Sequence, residues 1–297
     1  KSSLMGPNYP YVKYINGTKR MGMGPQWSRI ANNVSGLGKL FIKDGVKKNL
    51  MKLLYRISYN NSHYIFFQNK RDFDEFCAFM PKIKSRSCII PGSGVDLNNF
   101  KMKSSTKLSK DISFLFFSRM LKDKGINILI ESIKTLKSRY KNFNMHFNLL
   151  GFTDSADEDY VSIADINIWE KEGLIKYHGE TDDVHRYISS SDCIILPSFY
   201  REGTPKSLLE ALAMSKPIIT TNLPGCADTV DDGKNGYLCE PQNVNSLTEA
   251  IEKFINLSFD ERIIMGQMSR KKAELVYDEK IIISEYFKRI RQAFSQK

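Results

Sequence analysis

The sequence has very little that would place it across a membrane or in a secretory route. Among its 297 residues, no apolar run reaches the roughly 18 residues that a membrane-spanning helix needs. The opening stretch, Lys1 to Gly6, has no apolar segment and no initiator methionine, which predicts a chain without a signal peptide. We therefore expect no membrane-spanning helix in this sequence.

Cysteine and histidine are also scarce, at five and four residues. No two cysteines form a CxxC pair, and no spacing of Cys and His is typical of a metal site. Cys88 and Cys193 lie in apolar, strand-like runs, as is typical of small buried side chains in a reducing compartment. The sequence therefore predicts no bound metal and a cytoplasmic location.

Positive charge is abundant and unevenly distributed. The net charge is +11, and residues 1–100 hold 16 Lys and Arg against 5 Asp and Glu, so the whole excess lies in the first third. This asymmetry indicates an anionic partner, which is a membrane surface, a nucleic acid or a phosphorylated substrate. The basic region has no recognisable nucleic-acid-binding motif, so we expect no nucleic acid partner.

From residue 111 onward, short apolar runs alternate with amphipathic segments. The predicted strands are Ile112–Phe117, Phe147–Leu150, Leu174–Tyr177, Cys193–Leu196 and Pro217–Thr220, and the predicted helices are Gly125–Leu136 and Pro205–Met214. This alternation predicts a doubly wound α/β domain with a parallel sheet. Ligands bind such sheets beyond the carboxyl ends of the strands, so we expect the functional residues directly after the strands.

The first hundred residues show the same alternation more weakly. Candidate strands are Ile30–Val34, His63–Phe67 and Cys88–Ile90, and candidate helices are Gly45–Ser58 and Arg71–Met80. Pro91-Gly92-Ser93-Gly94 then predicts a linker. We expect a partial first domain over residues 1–98, a second domain over 99–275, and a final helix within 276–297 that returns toward the first domain.

A helix start follows the predicted strand Cys193–Leu196. Thr204 fits the N-cap position, with Pro205 as the first helical residue. The backbone N–H groups that such a start leaves free to bind an anion are those of Lys206, Ser207 and Leu208.

Two carboxylates flank this helix start. Glu202 lies in the loop before it and Glu210 in the second helical turn. Carboxylates beside an anion pocket suit the hydroxyl groups of a ribose and a sugar, because they are strong hydrogen-bond acceptors. The alternative is that Glu202 is a solvated loop charge and Glu210 a surface residue of the helix.

Two cations follow the predicted strand Ile112–Phe117. Arg119 comes directly after the strand, and Lys124 lies at the start of the next helix, where the helix dipole disfavours a cation without a ligand. Together they could neutralise a diphosphate, and arginine could do so through two hydrogen bonds. The alternative is that both are ordinary surface charges.

These segments together resemble glycosyltransferase family 4, whose members are retaining enzymes with the GT-B fold. The matching motifs are Ser118-Arg-Met, Lys124-Gly, Leu150-Gly, His178-Gly, Leu196-Pro-Ser, Glu202-Gly-Thr-Pro-Lys-Ser-Leu-Leu-Glu210-Ala and Pro224-Gly with Asp232-Gly-Lys-Asn-Gly236. Val34-Ser-Gly-Leu-Gly38 and Pro91-Gly-Ser-Gly-Val-Asp96 also resemble a loop and the linker of that family. The resemblance is closest to bacterial enzymes that build capsule, O-antigen or protein-linked glycans.

The resemblance implies two Rossmann-like domains and a hexosyltransferase that uses a nucleotide-sugar, with UDP-sugar favoured. The acceptor would be a glycan or a polyprenyl-linked glycan, and no metal or other cofactor would be needed. Arg119 and Lys124 would hold the donor diphosphate, and Glu202 would contact the sugar. The other donor-binding residues that it implies are Gly203, Thr204, Pro205, Lys206, Ser207, Glu210, and His178 with Gly179 near the nucleobase.

The resemblance also implies that the first domain is truncated at its N-terminal side. The Gly-rich loop that opens the family's first domain has no good counterpart, since Met21-Gly-Met-Gly24 is a weak match. His63 begins a strand and does not replace a histidine that many members place near the donor sugar. Two alternatives to a transferase stay open, namely a sugar-nucleotide epimerase of the GT-B fold and a donor-binding fragment without turnover.

The predicted basic helix within Lys43–Ser58 suggests a peripheral membrane contact. Its cations Lys47, Lys48, Lys52 and Arg56 alternate with Leu50, Met51, Leu53, Leu54 and Ile57. A basic amphipathic helix fits an anionic membrane interface, where a lipid-linked acceptor would lie. The alternative is a solvated charged face over ordinary core packing, in which case the apolar residues are buried.

Overall fold

The fold is that of a computed structural model, which describes residues 31–38, 41, 45–101, 111–140 and 145–295. The weak match at Met21-Gly-Met-Gly24, the first residue of the predicted strand Ile30–Val34, and Lys43 and Asp44 before the basic helix lie outside the described residues.

A small parallel sheet is formed by β1 (Ala31–Val34), β2 (Tyr64–Phe67) and β3 (Ser87–Ile89), in that order. The helices α1 (Val46–Tyr59) and α2 (Lys70–Phe79) connect these strands. Asn69 caps α2, because its side chain accepts a hydrogen bond from the Asp72 N–H. The core beneath α2 is largely aromatic and aliphatic and contains Phe41, Ile65, Phe67, Phe76 and Ile83.

A larger parallel sheet has the order β6-β5-β4-β7-β8-β9. Its strands are β4 (Ile112–Phe117), β5 (Met145–Leu150), β6 (Lys176–Tyr177), β7 (Cys193–Leu196), β8 (Ile218–Thr221) and β9 (Gly236–Cys239). Every residue of β4 is buried, as expected for a central parallel strand covered on both faces. The strand order is that of a dinucleotide-binding fold and confirms the predicted doubly wound α/β architecture.

Six helices surround the larger sheet. They are α3 (Ile126–Arg139), α4 (Ile163–Lys171), α5 (Val184–Ser190), α6 (Lys206–Ala213), α7 (Val244–Ile255) and α8 (Phe259–Lys272). Helix α3 packs against α7, and α6 packs against α8. A π-helical turn, Ala273–Tyr277, continues α8 toward the smaller sheet. No helix among the described residues is long and apolar enough to cross a membrane.

The chain passes between the two sheets twice, and the two crossings are hydrogen-bonded to each other. The Val95 N–H donates to the Tyr277 carbonyl at 2.8 Å, and the Glu279 N–H donates to the Val95 carbonyl at 3.1 Å. Helix α9 (Glu279–Ser295) then packs on the smaller sheet, where the rings of Tyr286 and Phe66 lie 4.6 Å apart. We call the smaller sheet with α1, α2 and α9 the first unit, and the larger sheet with α3 to α8 the second unit.

Two predicted elements are each two residues shorter in the structure. The predicted strand Leu174–Tyr177 pairs with β5 only at Lys176 and Tyr177, because the Leu174 N–H donates to the Trp169 carbonyl and closes the end of α4. The predicted helix Pro205–Met214 begins at Lys206 and ends at Ala213. The domain boundaries at residues 98 and 275 stay predictions.

Candidate functional site

Most of the predicted site residues lie where the loops after β4 and β7 meet. These two strands are neighbours in the sheet at the point where the strand order reverses, which is where such folds bind ligands. The Asp123 carbonyl accepts hydrogen bonds from the N–H groups of Phe199 and Tyr200, at 2.9 and 3.2 Å. Gly125 has φ +82° and leaves no room for a Cβ against the Pro197 carbonyl. The two loops are therefore joined through their backbones.

Lys124 and Glu202 form an ion pair across these loops. Lys124 Nζ lies 2.7 Å from Glu202 Oε1, and the Ser198 hydroxyl donates to the same oxygen at 2.7 Å. The two side chains are only 10% and 13% exposed. The structure therefore excludes a solvated loop charge for Glu202 and an ordinary surface charge for Lys124. Lys124 ends a 3-10 turn instead of starting α3, which begins two residues later.

Ser198 and Tyr200 were not singled out in the sequence but belong to this cluster. Ser198 is fully buried, and the Tyr200 ring lies 5.2 Å from Lys124 Nζ, in the range of a cation–π contact. The motif Leu196-Pro-Ser contained Ser198, but nothing in its spacing showed that its hydroxyl would hold Glu202.

Glu210 faces the interior of the second unit, so it is not a surface residue of the helix. Its side chain is 10% exposed and lies 3.7 Å from Lys206 Nζ. Burial raises the pKa of Glu210 to about 7, although the charge and hydrogen bond of Lys206 oppose the shift. A carboxyl with this pKa changes its charge near neutral pH, and it accepts hydrogen bonds from the hydroxyl groups of a ligand more strongly above that pH, where it is ionised.

The start of α6 differs from the prediction in its capping. Pro205 is the N-cap residue, and the helix has no side-chain cap. Thr204 does not cap it, because its hydroxyl makes no hydrogen bond with the described residues, while its N–H donates to Gln68 Oε1 of the first unit at 3.2 Å. The predicted anion site also loses one donor, since the Leu208 N–H bonds the Pro205 carbonyl at 3.1 Å.

Thr204 and the glycines beside it lie at the contact between the units. Thr204 is buried, and its hydroxyl has no hydrogen-bond partner among the described residues. It lines a cavity of about 630 Å³ together with Gln68 and Asn69. Gly203 leaves no space for a Cβ beside Gln68, and Gly225, at φ +85°, packs directly on the Gly203 carbonyl.

Among the described residues, no hydrogen bond or ion pair joins the side chain of Arg119 or His178 to Lys124 or Glu202. Arg119 directly follows β4 and is exposed, so a surface role for it stays open. His178 follows β6, contacts Asn148 Oδ1 at 2.8 Å through its Nε2, and lies 4.8 Å from the Tyr187 ring. Burial, with the charge of Lys176, lowers the pKa of His178. The Gly179 carbonyl bonds the Gly151 N–H at 2.8 Å, which ties this loop to the end of β5.

No group of three or more His, Cys, Asp or Glu side chains suited to a metal ion occurs within the described ranges. Metal-independent donor binding nevertheless stays a prediction, because a nucleotide diphosphate can itself bring a cation to the site.

Helix α1 presents its leucines and Ile57 outward, whereas Met51, also predicted on the apolar stripe, packs against the core of the first unit. Leu50, Leu53, Leu54 and Ile57 are between 47% and 66% exposed, so they are not core residues. Three of its four predicted cations contact other residues of the first unit, and Lys47 is exposed. Lys48 Nζ lies 2.9 Å from Glu75, Lys52 Nζ lies 5.8 Å from the Phe79 ring, and Arg56 Nε donates to the Phe79 carbonyl.

The described part of the protein has two parallel sheets, and the sheet of the second unit has the strand order of a dinucleotide-binding fold. This arrangement defines a GT-B fold. A sequence profile described as glycosyl transferases group 1 matches residues 98–272, which is more than half of the chain. The chain therefore belongs to this family of glycosyltransferases. The predicted enzyme class, a glycosyltransferase of the hexosyl-transferring type, is confirmed.

Among relatives, the chain is 28% identical over 286 residues to a Campylobacter jejuni enzyme named N,N'-diacetylbacillosaminyl-diphospho-undecaprenol alpha-1,3-N-acetylgalactosaminyltransferase. The match covers 90% of this chain and 72% of the relative. The chain is also 30% identical over 197 residues to the capsular polysaccharide biosynthesis glycosyltransferase CapM of Staphylococcus aureus, covering 64% of this chain and 49% of CapM.

Solved structures support the fold. The Anabaena protein HepE in complex with UDP and glucose superposes with a TM-score of 0.72 at 17% identity, over 91% of this chain and 72% of HepE. A sucrose-phosphate synthase from Thermosynechococcus elongatus gives a TM-score of 0.73 at 18% identity, over 90% of this chain and 68% of that protein. The GT-B fold expected from the sequence is confirmed.

Proposed function

We propose that this protein transfers a sugar, with retention of its anomeric configuration, from a nucleotide-sugar to a lipid-linked glycan. The observation that supports this best is the buried ion pair of Lys124 and Glu202 at the strand-order reversal, with Glu202 four residues before the start of α6. A cation, a carboxylate and a helix start are the groups that a diphosphate and a sugar need together. HepE was solved with UDP, so UDP-sugars are the first donors to test.

The arrangement would act on the leaving group. When the bond between the anomeric carbon and the phosphate oxygen breaks, the diphosphate takes the electron pair and gains negative charge. Lys124, Arg119 and the N–H groups of Lys206 and Ser207 would stabilise that charge, which is the usual source of much of an enzyme's rate acceleration. Glu202 would accept hydrogen bonds from the sugar hydroxyls, and Glu210 from the ribose. These roles make a bound metal unnecessary.

A lipid-linked acceptor is supported by the first unit. The name of the Campylobacter relative specifies a diphospho-undecaprenol acceptor. In this chain the whole positive excess lies in residues 1–100, and α1 exposes an apolar stripe there. Cations beside exposed apolar side chains fit an anionic membrane surface. We therefore extend the proposal to a peripheral membrane enzyme on the cytoplasmic side.

Incubation of the full chain with UDP-sugars and a polyprenyl-diphosphate-linked glycan, with chelator present, tests the proposal. We expect a longer lipid-linked product whose new linkage has the anomeric configuration of the donor, as read by NMR. Conversion of the UDP-sugar to its epimer without acceptor would support the epimerase alternative. Binding of UDP without any product would support a donor-binding fragment.

A further inference from the structure

The loop between β7 and α6 is bonded to the first unit through three consecutive residues. These are Glu202, Gly203 and Thr204, all expected to contact the donor. Their partners are, in order, Asn69 Nδ2 at 3.3 Å, the Ser35 carbonyl at 2.9 Å and Gln68 Oε1 at 3.2 Å. The first unit therefore helps to fix the backbone of a loop that belongs to the second unit.

Arg201, the residue before Glu202, adds a charged contact to the same interface. One guanidinium nitrogen lies 2.7 Å from Asp72 Oδ1, and another lies 2.6 Å from Glu75 Oε2 and 3.0 Å from the Phe41 carbonyl. The Arg201 side chain is 9% exposed and that of Asp72 is 3% exposed. Such a contact is costly to break on one side, because the remaining charge stays buried.

The charges of this contact are balanced. Lys48 pairs with Glu75 at 2.9 Å, so two cations face two carboxylates. Burial acts to raise the pKa of Glu75, but hydrogen bonds from Lys48 and Arg201 outweigh it and hold the pKa below its usual value. Glu75 therefore stays ionised and keeps its hold on Arg201 at neutral pH.

Asn69 connects the Arg201 contact to Glu202. Its amide nitrogen donates to Asp72 Oδ2 at 3.0 Å and to the Glu202 carbonyl at 3.3 Å, while Arg201 occupies the other oxygen of Asp72. The backbone at Arg201 and Glu202 is thus held at two points, by the Arg201 side chain and by the Glu202 carbonyl. On its other side, the Glu202 carboxylate is held by Lys124 and Ser198.

We propose that Arg201 is a positioning residue, which with Asp72 and Glu75 forms a clasp that places Glu202 for the donor sugar. The predicted sugar-binding carboxylate is then in position only while the first unit is joined to the loop. Arg201 itself contacts first-unit residues and no predicted donor group. The proposal rests on the proposed function, since it assigns a sugar contact to Glu202.

Calorimetry on the full chain tests the clasp with two probes. One is UDP, and the other is whichever of UDP-glucose, UDP-N-acetylglucosamine and UDP-N-acetylgalactosamine binds the wild-type protein most tightly. In Arg201→Gln we expect the affinity for the sugar nucleotide to fall at least tenfold and that for UDP to change less than twofold. Arg201→Lys should recover part of the loss, because lysine keeps the charge but reaches only one carboxylate.

Two further variants separate positioning from general damage. If Arg201 acts through Asp72, the double variant Arg201→Gln with Asp72→Asn should be no weaker for the sugar nucleotide than Arg201→Gln alone. Arg139→Gln removes an exposed pair with Glu252 on the second unit and should change neither affinity. If Arg201→Gln does not fold, the affinities of Arg201→Lys and Asp72→Asn for UDP and the sugar nucleotide provide the same comparison.

Equal losses for UDP and the sugar nucleotide in Arg201→Gln would overturn the clasp, and so would fully additive effects of Arg201 and Asp72. Unchanged binding of both probes in a folded Arg201→Gln would do the same, while leaving the proposed function intact. A wild-type chain that binds neither UDP nor any of the three sugar nucleotides would overturn the proposed function itself and the clasp with it.

Discussion

Helices α6 and α1 show how differently the two units are built. In α6, six of the eight residues are buried, including the acidic residue Glu210. In α1, none of the 14 residues is buried; its three leucines and Ile57 are exposed, and Met51, Tyr55 and Tyr59 are partly buried against the core. Buried helices of the first kind hold side chains in fixed positions, as a site for a charged donor requires. An exposed apolar helix suits contact with a larger partner.

The two regions also differ in how their charges are distributed. Residues 101–297 are neutral overall, yet the second unit holds the cation and the two carboxylates of the candidate site in buried positions. Residues 1–100 hold the whole positive excess. We infer that the second unit uses a few desolvated charges to recognise one ligand, whereas the first unit uses many charges to favour a surface.

The largest effect is expected at Lys124. Replacing it in Lys124→Met removes the cation beside the leaving diphosphate and leaves the buried Glu202 carboxylate without its partner. We expect kcat/KM for transfer to fall by about 10² to 10³, as for loss of one preorganised electrostatic contact. Lys122→Met is a matched control, because Lys122 lies in the same 3-10 turn but is exposed. A Lys124→Met enzyme within threefold of wild type would show that the ion pair is structural only.

A smaller effect is expected at Arg119, the exposed member of the predicted diphosphate site. Arg119→Ala should weaken UDP binding by about 1.5–3 kcal/mol, the range for a hydrogen bond to a charged group. UDP should bind the wild-type protein equally well with chelator and with magnesium. Calorimetry measures both, with Lys134→Ala on α3 as the control. Strict dependence on magnesium, or unchanged affinity in Arg119→Ala, would contradict the assignment of the diphosphate to this loop.

Glu210 provides a test that depends on pH. Its pKa is raised from 4.5 to about 7, so the folded state binds more protons than the unfolded state between these values, and stability falls as pH rises through that window. Glu210→Gln removes this cost, which is on the order of 3 kcal/mol above pH 7. We expect the variant to have a Tm several degrees higher than wild type at pH 8 and a similar Tm at pH 5.

The same substitution should have the opposite effect on nucleotide binding. An ionised Glu210 accepts the ribose hydroxyls better than a neutral amide does, so wild type should exceed Glu210→Gln in UDP affinity, and the gap should widen from pH 6 to pH 8. Comparing the two proteins cancels the titration of the phosphate itself. A constant gap across that range would mean that Glu210 does not contact the ribose in its charged form.

All the α-helices and strands that the structure describes in the first unit were predicted from the sequence, whereas five elements of the second unit, α4, α5, α7, α8 and β9, were not. Buried parallel strands appear as continuous apolar runs, so β4 and β7 were predicted with the bounds that the structure shows. Strand β9 was missed, because it begins at Gly236, and a glycine weakens the pattern of a strand. Helix α8 was missed because its exposed Ile263 and Ile264 obscure the helical pattern of apolar residues.

The contacts that assemble the site were the least predictable. Lys124 and Glu202 were chosen separately, but local spacing contains no information on a pair that the fold brings together. Arg201 was not chosen at all, since its partners Asp72 and Glu75 lie on a helix of the other unit. The exposure of the apolar face of α1 could not be predicted from the sequence either. The spacing of apolar residues shows which residues share a helix face, but it does not show whether that face is buried.

The smallest effect is expected at the exposed face of α1. Changing Leu50, Leu53, Leu54 and Ile57 to serine should reduce sedimentation with anionic vesicles without lowering Tm, because these side chains are about half exposed or more. Apolar area that enters the headgroups adds to the attraction of cations, each worth about 1 kcal/mol near an anionic surface. Binding by wild type should also be weaker at high salt, where charges are screened.

A matched control for this face comes from the second unit. Helix α8 exposes four apolar side chains by 39% to 53%, so changing Phe259, Ile263, Ile264 and Met268 to serine removes a comparable apolar surface from the neutral part of the chain. These changes should leave vesicle binding unchanged if only the first unit meets the lipid. Substituting Lys48 is a poor choice here, because it also breaks the ion pair with Glu75. If the α1 variant binds vesicles as wild type does, the exposed apolar side chains of α1 do not contact lipid. The basic first unit would then favour a soluble, phosphorylated acceptor.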